Sequence, residues 1–411
     1  MRRGGFWSKG YRPFFLGAAA FAAIAMADWM TVYLLGLPLE LRHVTIYQWH
    51  AHGMIFGYAA AVIAGLLLTI AREWTGLRAA HGPALALLFL LWLLARALTT
   101  DGTRWLPYAA AADLAFLAGL LIALGRAFLQ VRQRRQAPVF LLLALFVAAD
   151  VVFWLGAAGW LHDGARLGVY GGLYTALAMV LYMGRRVIPF FTMRGVGYEV
   201  HLKIERWVDL GMTGLFPLFM FSELLLPLHP LGAGLAAALL YLNSRRVMGW
   251  YTLGIWQKPL LLGLFASFIM VNLGFLLRAL MPFTTVPPVL PVHAFALGGI
   301  GIITISLMAR VTLAQAGRDV NRPPRYVAVI TGGMMLAATA RIFLPLAAPE
   351  SHEVWIMVTG VIWIISFLLF TMAFAPLLLG APATRTAAKP GRDEAGENTV
   401  PEPHNTESRE T

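Results

Sequence analysis

Long apolar runs are the feature that most constrains how this chain can fold. All but the eighth, which is short, are about as long as a helix must be to cross the hydrocarbon core of a membrane. The runs cover residues 14–36, 50–71, 83–100, 106–129, 138–161, 168–190, 207–227, 230–244, 260–280, 291–313, 325–347 and 353–377. Because they are unbroken rather than alternating, they indicate helices and not the strands of a barrel.

Composition supports the same conclusion. The chain is 59% hydrophobic and only 13% charged, whereas soluble proteins carry about 25% charged residues. The sequence therefore predicts an all-α, polytopic membrane helix bundle with about twelve transmembrane helices. Residues 1–380 are predicted to form this transmembrane domain, and the polar residues 381–411 a disordered cytoplasmic tail.

Basic residues predict the orientation of the bundle. Of the 32 Lys and Arg residues, 26 fall in the two termini and in the connections that follow even-numbered runs. The positive-inside rule places that side, and both termini, in the cytoplasm. Topology thus explains the net charge of +12, and we do not expect nucleic acid as a partner. Residues 25–27, Ala-Met-Ala, resemble a signal-peptide cleavage site, but the apolar sequence continues past them, which favours an uncleaved first helix.

Two histidines open the second run, where residues 49–54 read Trp-His-Ala-His-Gly-Met. Small residues then recur every four positions, which leaves one helix face without bulky side chains: Gly53, Gly57, Ala61 and Gly65. Helical geometry places His50 on this bare face and points His52 about 200° away. A flat cofactor or a neighbouring backbone is expected to lie against the bare face.

A third histidine, His293, opens the tenth run and is likewise followed by small residues. The chain has no cysteine, so any metal site must use His, Met, carboxylate or backbone ligands. His50, His52 and His293 are therefore the candidate metal ligands: His293 with either of the others would bind one iron, or separate sites would hold haem and copper. The alternatives are interfacial hydrogen bonding and close helix packing. The remaining histidines, His352 among them, are assigned to solvated loops.

Ionisable residues within the runs give a second indication. All seven fall in the predicted periplasmic half and should face the bundle interior, since lipid disfavours charge: Asp28, Arg96, Asp113, Asp150, Glu223, Arg278 and Arg341. One interpretation is Asp–Arg pairing that fixes neighbouring helices. The other is a polar site in which Arg96 and Arg341 bind cofactor carboxylates while Asp28, Asp113, Asp150 and Glu223 carry protons.

Several separated segments resemble the NnrS family, and together they span about residues 6 to 378. They are Tyr-Arg-Pro-Phe-Phe-Leu-Gly at 11–17, Trp-His-Ala-His-Gly-Met-Ile-Phe-Gly at 49–57, Gly-Arg-Arg-Val-Ile-Pro-Phe-Phe-Thr at 184–192, and the run from His293 to Arg318. The resemblance implies a multi-pass protein of the bacterial inner membrane that contains haem and copper and is linked to nitric oxide and nitrosative stress. It also implies that His50, His52 and His293 are metal ligands.

The chain departs from the family pattern at two positions. Gly53 stands where the family commonly has Glu, and Gln315 where it often has His. Each departure removes a ligand or a proton carrier.

We therefore expect a protein that uses haem b, with copper beside it, to bind or detoxify nitric oxide, with the lipid bilayer and an unidentified electron donor as its other partners. Whether it turns nitric oxide over as an enzyme stays open at this stage. The alternatives are a transporter of a metal, haem or metal–nitrosyl species, and an assembly partner of a respiratory enzyme.

Overall fold

The computed structural model describes residues 5–131 and 136–380, and within these ranges the regular structure is entirely helical. Twelve long helices follow one another along the described chain: α1 Tyr11–Leu34, α2 Ile46–Thr75, α3 Pro83–Thr99, α4 Leu106–Gln130, α5 Ala137–Ala157, α6 Gly164–Gly195, α7 Arg206–Leu225, α8 Pro230–Trp250, α9 Pro259–Leu280, α10 Val289–Gln315, α11 Arg325–Ala347 and α12 His352–Leu378. The predicted all-α bundle of about twelve helices is confirmed.

Ten of the described helices are long and apolar enough to cross a membrane. The other two are α3, which has 17 residues, and α8, which carries Arg245 and Arg246 near its end. The predicted orientation of the termini stays a prediction. The predicted tail, residues 381–411, lies outside the described residues.

Helices α2 and α10 form the centre of the bundle. In their most apolar stretches 72% of the α2 residues and 78% of the α10 residues are buried, against 33% in α1 and α12. A hydrogen bond of 2.6 Å between the hydroxyls of Tyr58 and Thr304 joins the two central helices. The rings of Trp363 and Phe367, from α12, pack edge-on against Tyr58. The two helices that carry the candidate ligands are therefore neighbours in the core.

Both central helices contain a π-helical segment directly after a candidate ligand. One covers Gly53–Ala59, following His52, and the other covers Ala294–Gly301, following His293. Wide turns of this kind are rare and occur frequently at functional sites. In the sequence, both helices open with a histidine followed by small residues, and in the structure both have a π-helical segment at that place.

Aromatic side chains of α1 occupy the bare face of α2. A side chain at Gly57 would collide with Phe21, and one at Gly65 would collide with Phe15. The small residues therefore serve close helix packing, as glycine-rich faces do in membranes. This corrects the expectation that a flat cofactor or a neighbouring backbone lies along the face, because the rings of α1 fill that space.

Candidate metal centre at the histidine end of the bundle

The candidate ligands lie at the end of the bundle where α2 and α10 begin, which we call the histidine end. The start of α2 is fixed by a capping box, in which the Thr45 hydroxyl accepts from the Gln48 backbone N–H at 3.2 Å and the Gln48 side chain accepts from the Thr45 N–H at 2.8 Å. The Trp49 indole also donates to the Thr99 carbonyl at 2.8 Å, tying this turn to the end of α3. The two following histidines are thereby held in place on different sides of the helix.

His52 lies in a buried polar group that we call the His52 cluster: His52, Arg96, Asp113, Asp150 and Trp154. Its Nε2 is 3.1 Å from an Asp150 oxygen and 3.4 Å from an Asp113 oxygen. Arg96 forms an ion pair with Asp113, and the Trp154 indole donates to Asp150 at 3.2 Å. His52 is 3% exposed and both aspartates are fully buried. The sequence interpretation of Asp–Arg pairing is confirmed for Arg96 and Asp113.

The aspartates of the His52 cluster leave one negative charge to be balanced when the imidazole is neutral. A proton on one member, or a bound cation, would supply the missing charge. One ligand atom from each of His52, Asp113 and Asp150 lies within 4.8 Å of the others, so the three could hold a metal ion. Arg96 already neutralises Asp113, however, which makes the cluster a poorer site for a divalent ion than its three donors suggest.

His50 points to a different group, around Arg341. Its ring stacks on Trp29 with 4.4 Å between centroids, and Trp29 in turn stacks on Tyr33 at 4.8 Å. His293 lies close enough to His50 and Arg341 for their charges to interact. This group therefore takes side chains from α1, α2, α10 and α11, and a shared metal site of His50 and His293 stays a prediction.

His293 has the hydrogen-bond arrangement of a metal ligand. Its Nδ1 lies 2.8 Å from the Val289 carbonyl oxygen. Because that oxygen can only accept, Nδ1 must carry the proton, which leaves the Nε2 lone pair free. Metal-bound histidines usually donate their second N–H in this way. Both His50 and His293 are half-buried, so each ring is held by its surroundings and still reachable.

A small cavity of about 30 Å³ lies between the two histidines of α2, and Asp28, Gly53 and Arg96 also line it. This volume admits a water molecule or a bare metal ion. A porphyrin cannot enter it with the side chains as they lie. Asp28 is half-buried here, whereas the other six ionisable residues predicted to face the interior are buried.

Glu223 is placed in a separate ion pair. Arg278 donates to its two carboxylate oxygens at 2.9 and 3.0 Å from Nε, and also to the His229 carbonyl oxygen at 3.1 Å. This pair joins α7 to α9 and accounts for both charges. Of the four carboxylates predicted to carry protons, Asp28, Asp113 and Asp150 therefore surround the histidines of α2, while Glu223 has a structural partner.

His352 was missed as a member of the site. In the sequence analysis it is assigned to a solvated loop. In the structure it is half-buried and lies within electrostatic range of His293 and Arg341. It opens α12 just as His50 and His293 occur in the first turns of their helices. That shared position was the signal in the sequence that could have identified it.

The two departures from the family pattern lie at opposite ends of the site's helices. A Cβ added at Gly53 would meet only Phe21, at 3.9 Å, so the missing side chain leaves room beside the cavity. Gln315, at the far end of α10, accepts a hydrogen bond from the Lys9 ammonium at 2.7 Å. The first departure therefore bears on the histidine end, and the second bears on packing at the opposite end.

Comparison with known proteins supports the resemblance seen in the sequence. The family model described as NnrS protein matches residues 5–381, nearly the whole chain. No curated protein matches the chain closely enough to count as a relative. Since the match covers all twelve helices and the three histidines, this chain is a membrane protein that belongs to the NnrS family.

Proposed function

We propose that this protein binds nitric oxide at a metal centre held by His50 and His293, and that in doing so it protects a bacterium against nitrosative stress. The link of the family to nitric oxide supports the choice of ligand. Nitric oxide is small, neutral and soluble in lipid, so a site inside a membrane domain is accessible to it. The inner membrane is the location that the resemblance and the charge distribution both favour.

The observation that carries this proposal is the convergence of two imidazoles from segments that are far apart in the chain. His50 and His293 lie within electrostatic range of each other, and the bond from His293 to the Val289 carbonyl leaves its Nε2 free. Such a bond to the carbonyl four residues earlier also forms within helices in the absence of a metal. In a ligand histidine it has a further function, because the second hydrogen bond fixes both the tautomer and the ring orientation.

The donors fit copper better than haem. Imidazole suits both copper and haem iron, but aromatic rings fill the bare face of α2. The cavity between His50 and His52, which His293 does not line, is too small for a porphyrin. A copper ion held by His50 and His293 would supply an open coordination position for nitric oxide. Haem b, which the resemblance implies, would require Trp29 or its neighbours to move.

The surrounding side chains would position and protonate the bound gas. Asp28 lines the cavity, and the His52 cluster is next to it through Arg96. Reduction of nitric oxide consumes protons, and these carboxylates are the groups placed to supply them. Electrons would come from a donor that remains to be identified.

The test is to purify the full-length protein, measure its metals, and record absorption and EPR spectra with and without nitric oxide. We expect bound copper and a nitric oxide-dependent change, both reduced in His50→Ala and His293→Ala. His162→Ala is the matched control, because that side chain is exposed. Protein without metal and without a response to nitric oxide would contradict the proposal. A strong Soret band would show that the bound metal is haem iron and not copper.

A transporter of metal, haem or a metal–nitrosyl species is the second candidate. The fully buried charges of the His52 cluster favour it, since such groups often mark substrate or ion pathways. Uptake into proteoliposomes that survives His50→Ala and His293→Ala would support transport over a fixed metal centre. An assembly role would instead be indicated if a respiratory subunit co-purified with the protein.

A further inference from the structure

Arg341 is a buried cation without a paired carboxylate among the described residues. The residue is 7% exposed, and its Nη1 is buried without a hydrogen-bond partner among the described residues. Three other buried arginines of the described bundle are paired with carboxylates: Arg96 with Asp113, Arg246 with Asp209 and Arg278 with Glu223. Buried Arg310 also forms no ion pair among the described residues, but its guanidinium lies over the Phe191 ring, 3.8 Å from the ring centroid. Within the ranges that the structure describes, Arg341 forms no ion pair.

The groups around Arg341 do not supply the missing charge. Its electrostatic neighbours are His50, His293, His352 and Tyr33, none of which is a carboxylate. The exposed Glu353 acts on His352 and Tyr33, but it does not pair with the guanidinium. The site therefore holds a positive charge with no carboxylate paired to it among the described residues.

An isolated charge at such a position is costly in a membrane protein and usually marks a ligand or a functional partner. Guanidinium presents a planar fork of N–H donors that matches a planar oxyanion with two oxygens. The half-buried His50 ring would add an N–H donor, and His293, whose Nδ1 proton is directed at Val289, would donate from Nε2 when its ring is protonated or hold the metal to which the anion is also bound. We propose that Arg341, together with His50 and His293, binds one planar oxyanion group of the carboxylate or nitrite class.

This inference deepens the proposed function and rests on it for the identity of the site. Two sources have the required chemistry: a free small anion such as nitrite, and a carboxylate arm of a tetrapyrrole. Binding of an anion to metal-free protein needs no metal, so the anion site and the metal centre can fail independently.

The first measurement is a calorimetric titration of metal-free, full-length protein in lipid nanodiscs with sodium nitrite at constant ionic strength. We expect saturable binding that weakens by about tenfold or more in Arg341→Gln, the loss typical of a charged hydrogen bond. Arg341→Lys should lie between, since it keeps the charge and loses the fork. Arg104→Gln is the matched control, because Arg104 is exposed and its guanidinium lies 5.5 Å from the centroid of the Trp105 ring.

The second measurement compares the binding of haem with that of its dimethyl ester, in which both carboxylates are blocked. If the anion is a cofactor carboxylate, wild-type protein prefers haem over the ester and Arg341→Gln abolishes that preference. If the anion is free, esterification has no effect and nitrite alone shows the dependence on Arg341.

Thermal unfolding controls for misfolding of the variants, and nitrite should raise the midpoint of the wild type but not of Arg341→Gln. The proposal is overturned if nitrite neither binds nor stabilises the wild type and the variant retains the haem preference.

Discussion

Arg96 and Asp113 offer the sharpest energetic test of how the histidine end is held together. Arg96 is 2% exposed and Asp113 is fully buried. Arg96 Nε and Nη1 have no hydrogen-bond partner among the described residues. The ion pair with Asp113 is therefore the main interaction that offsets the cost of burying the Arg96 charge. Arg96→Gln would leave Asp113 and Asp150 as two buried carboxylates around one imidazole. Removing one partner of a buried ion pair typically costs about 3–5 kcal/mol.

The matching experiment is a double-mutant cycle measured by reversible unfolding in lipid bicelles. We expect Arg96→Gln and Asp113→Asn each to lower the free energy of unfolding by about 3 kcal/mol or more. The double variant, which buries two neutral amides, should be more stable than the sum of the single losses predicts, with a coupling of about 1–3 kcal/mol. Single variants within about 1 kcal/mol of the wild type, or strictly additive losses, would refute this account of the His52 cluster.

Three further predictions follow from the same contacts. The Gly53→Glu variant should fold normally, because a Cβ at this position meets Phe21 at 3.9 Å. It should also bind metal more tightly, which competition with a chelator measures, and a lower affinity would contradict the prediction. Arg278→Gln should lower the free energy of unfolding by about 3–5 kcal/mol, because it breaks the buried pair with Glu223. Arg341→Gln should lower it by less than about 1 kcal/mol, because Arg341 has no ion pair among the described residues. Equal losses in the two variants would contradict this prediction. Tyr58→Phe should cost about 0.5–1.5 kcal/mol by removing the 2.6 Å bond to Thr304, and an unchanged midpoint would count against that bond.

The fold could be predicted because the length and the apolar composition of a membrane-spanning helix are visible in the sequence. The errors occur at the ends of helices, and one of them lies where charge is buried. The eighth run was ended at residue 244, yet α8 continues to Trp250 because Arg246 enters the bundle and pairs with Asp209 at 2.6 Å. The sixth run was ended at residue 190, yet α6 continues to Gly195 past Pro189. Hydropathy treats each charge as solvated, and only packing reveals its partner.

The site was predictable in part. Helical geometry separated His50 from His52, and the structure places them in different groups, one with Arg341 and the other with Asp150. Which carboxylates would meet His52 could not be deduced, because that depends on how α4 and α5 pack against α2. The unpaired state of Arg341 is likewise a property of the packed bundle and not of the sequence.

The central claim is that His50 and His293 share one metal. Its most direct test is X-ray absorption at the metal edge of loaded, full-length protein, which counts the imidazoles bound to the ion. We predict at least two imidazoles in the wild type, one fewer in His50→Ala and in His293→Ala, and no change in His52→Ala, whose ring belongs to the separate His52 cluster. An imidazole count that is the same in the His50→Ala and His293→Ala variants as in the wild type would contradict the shared site.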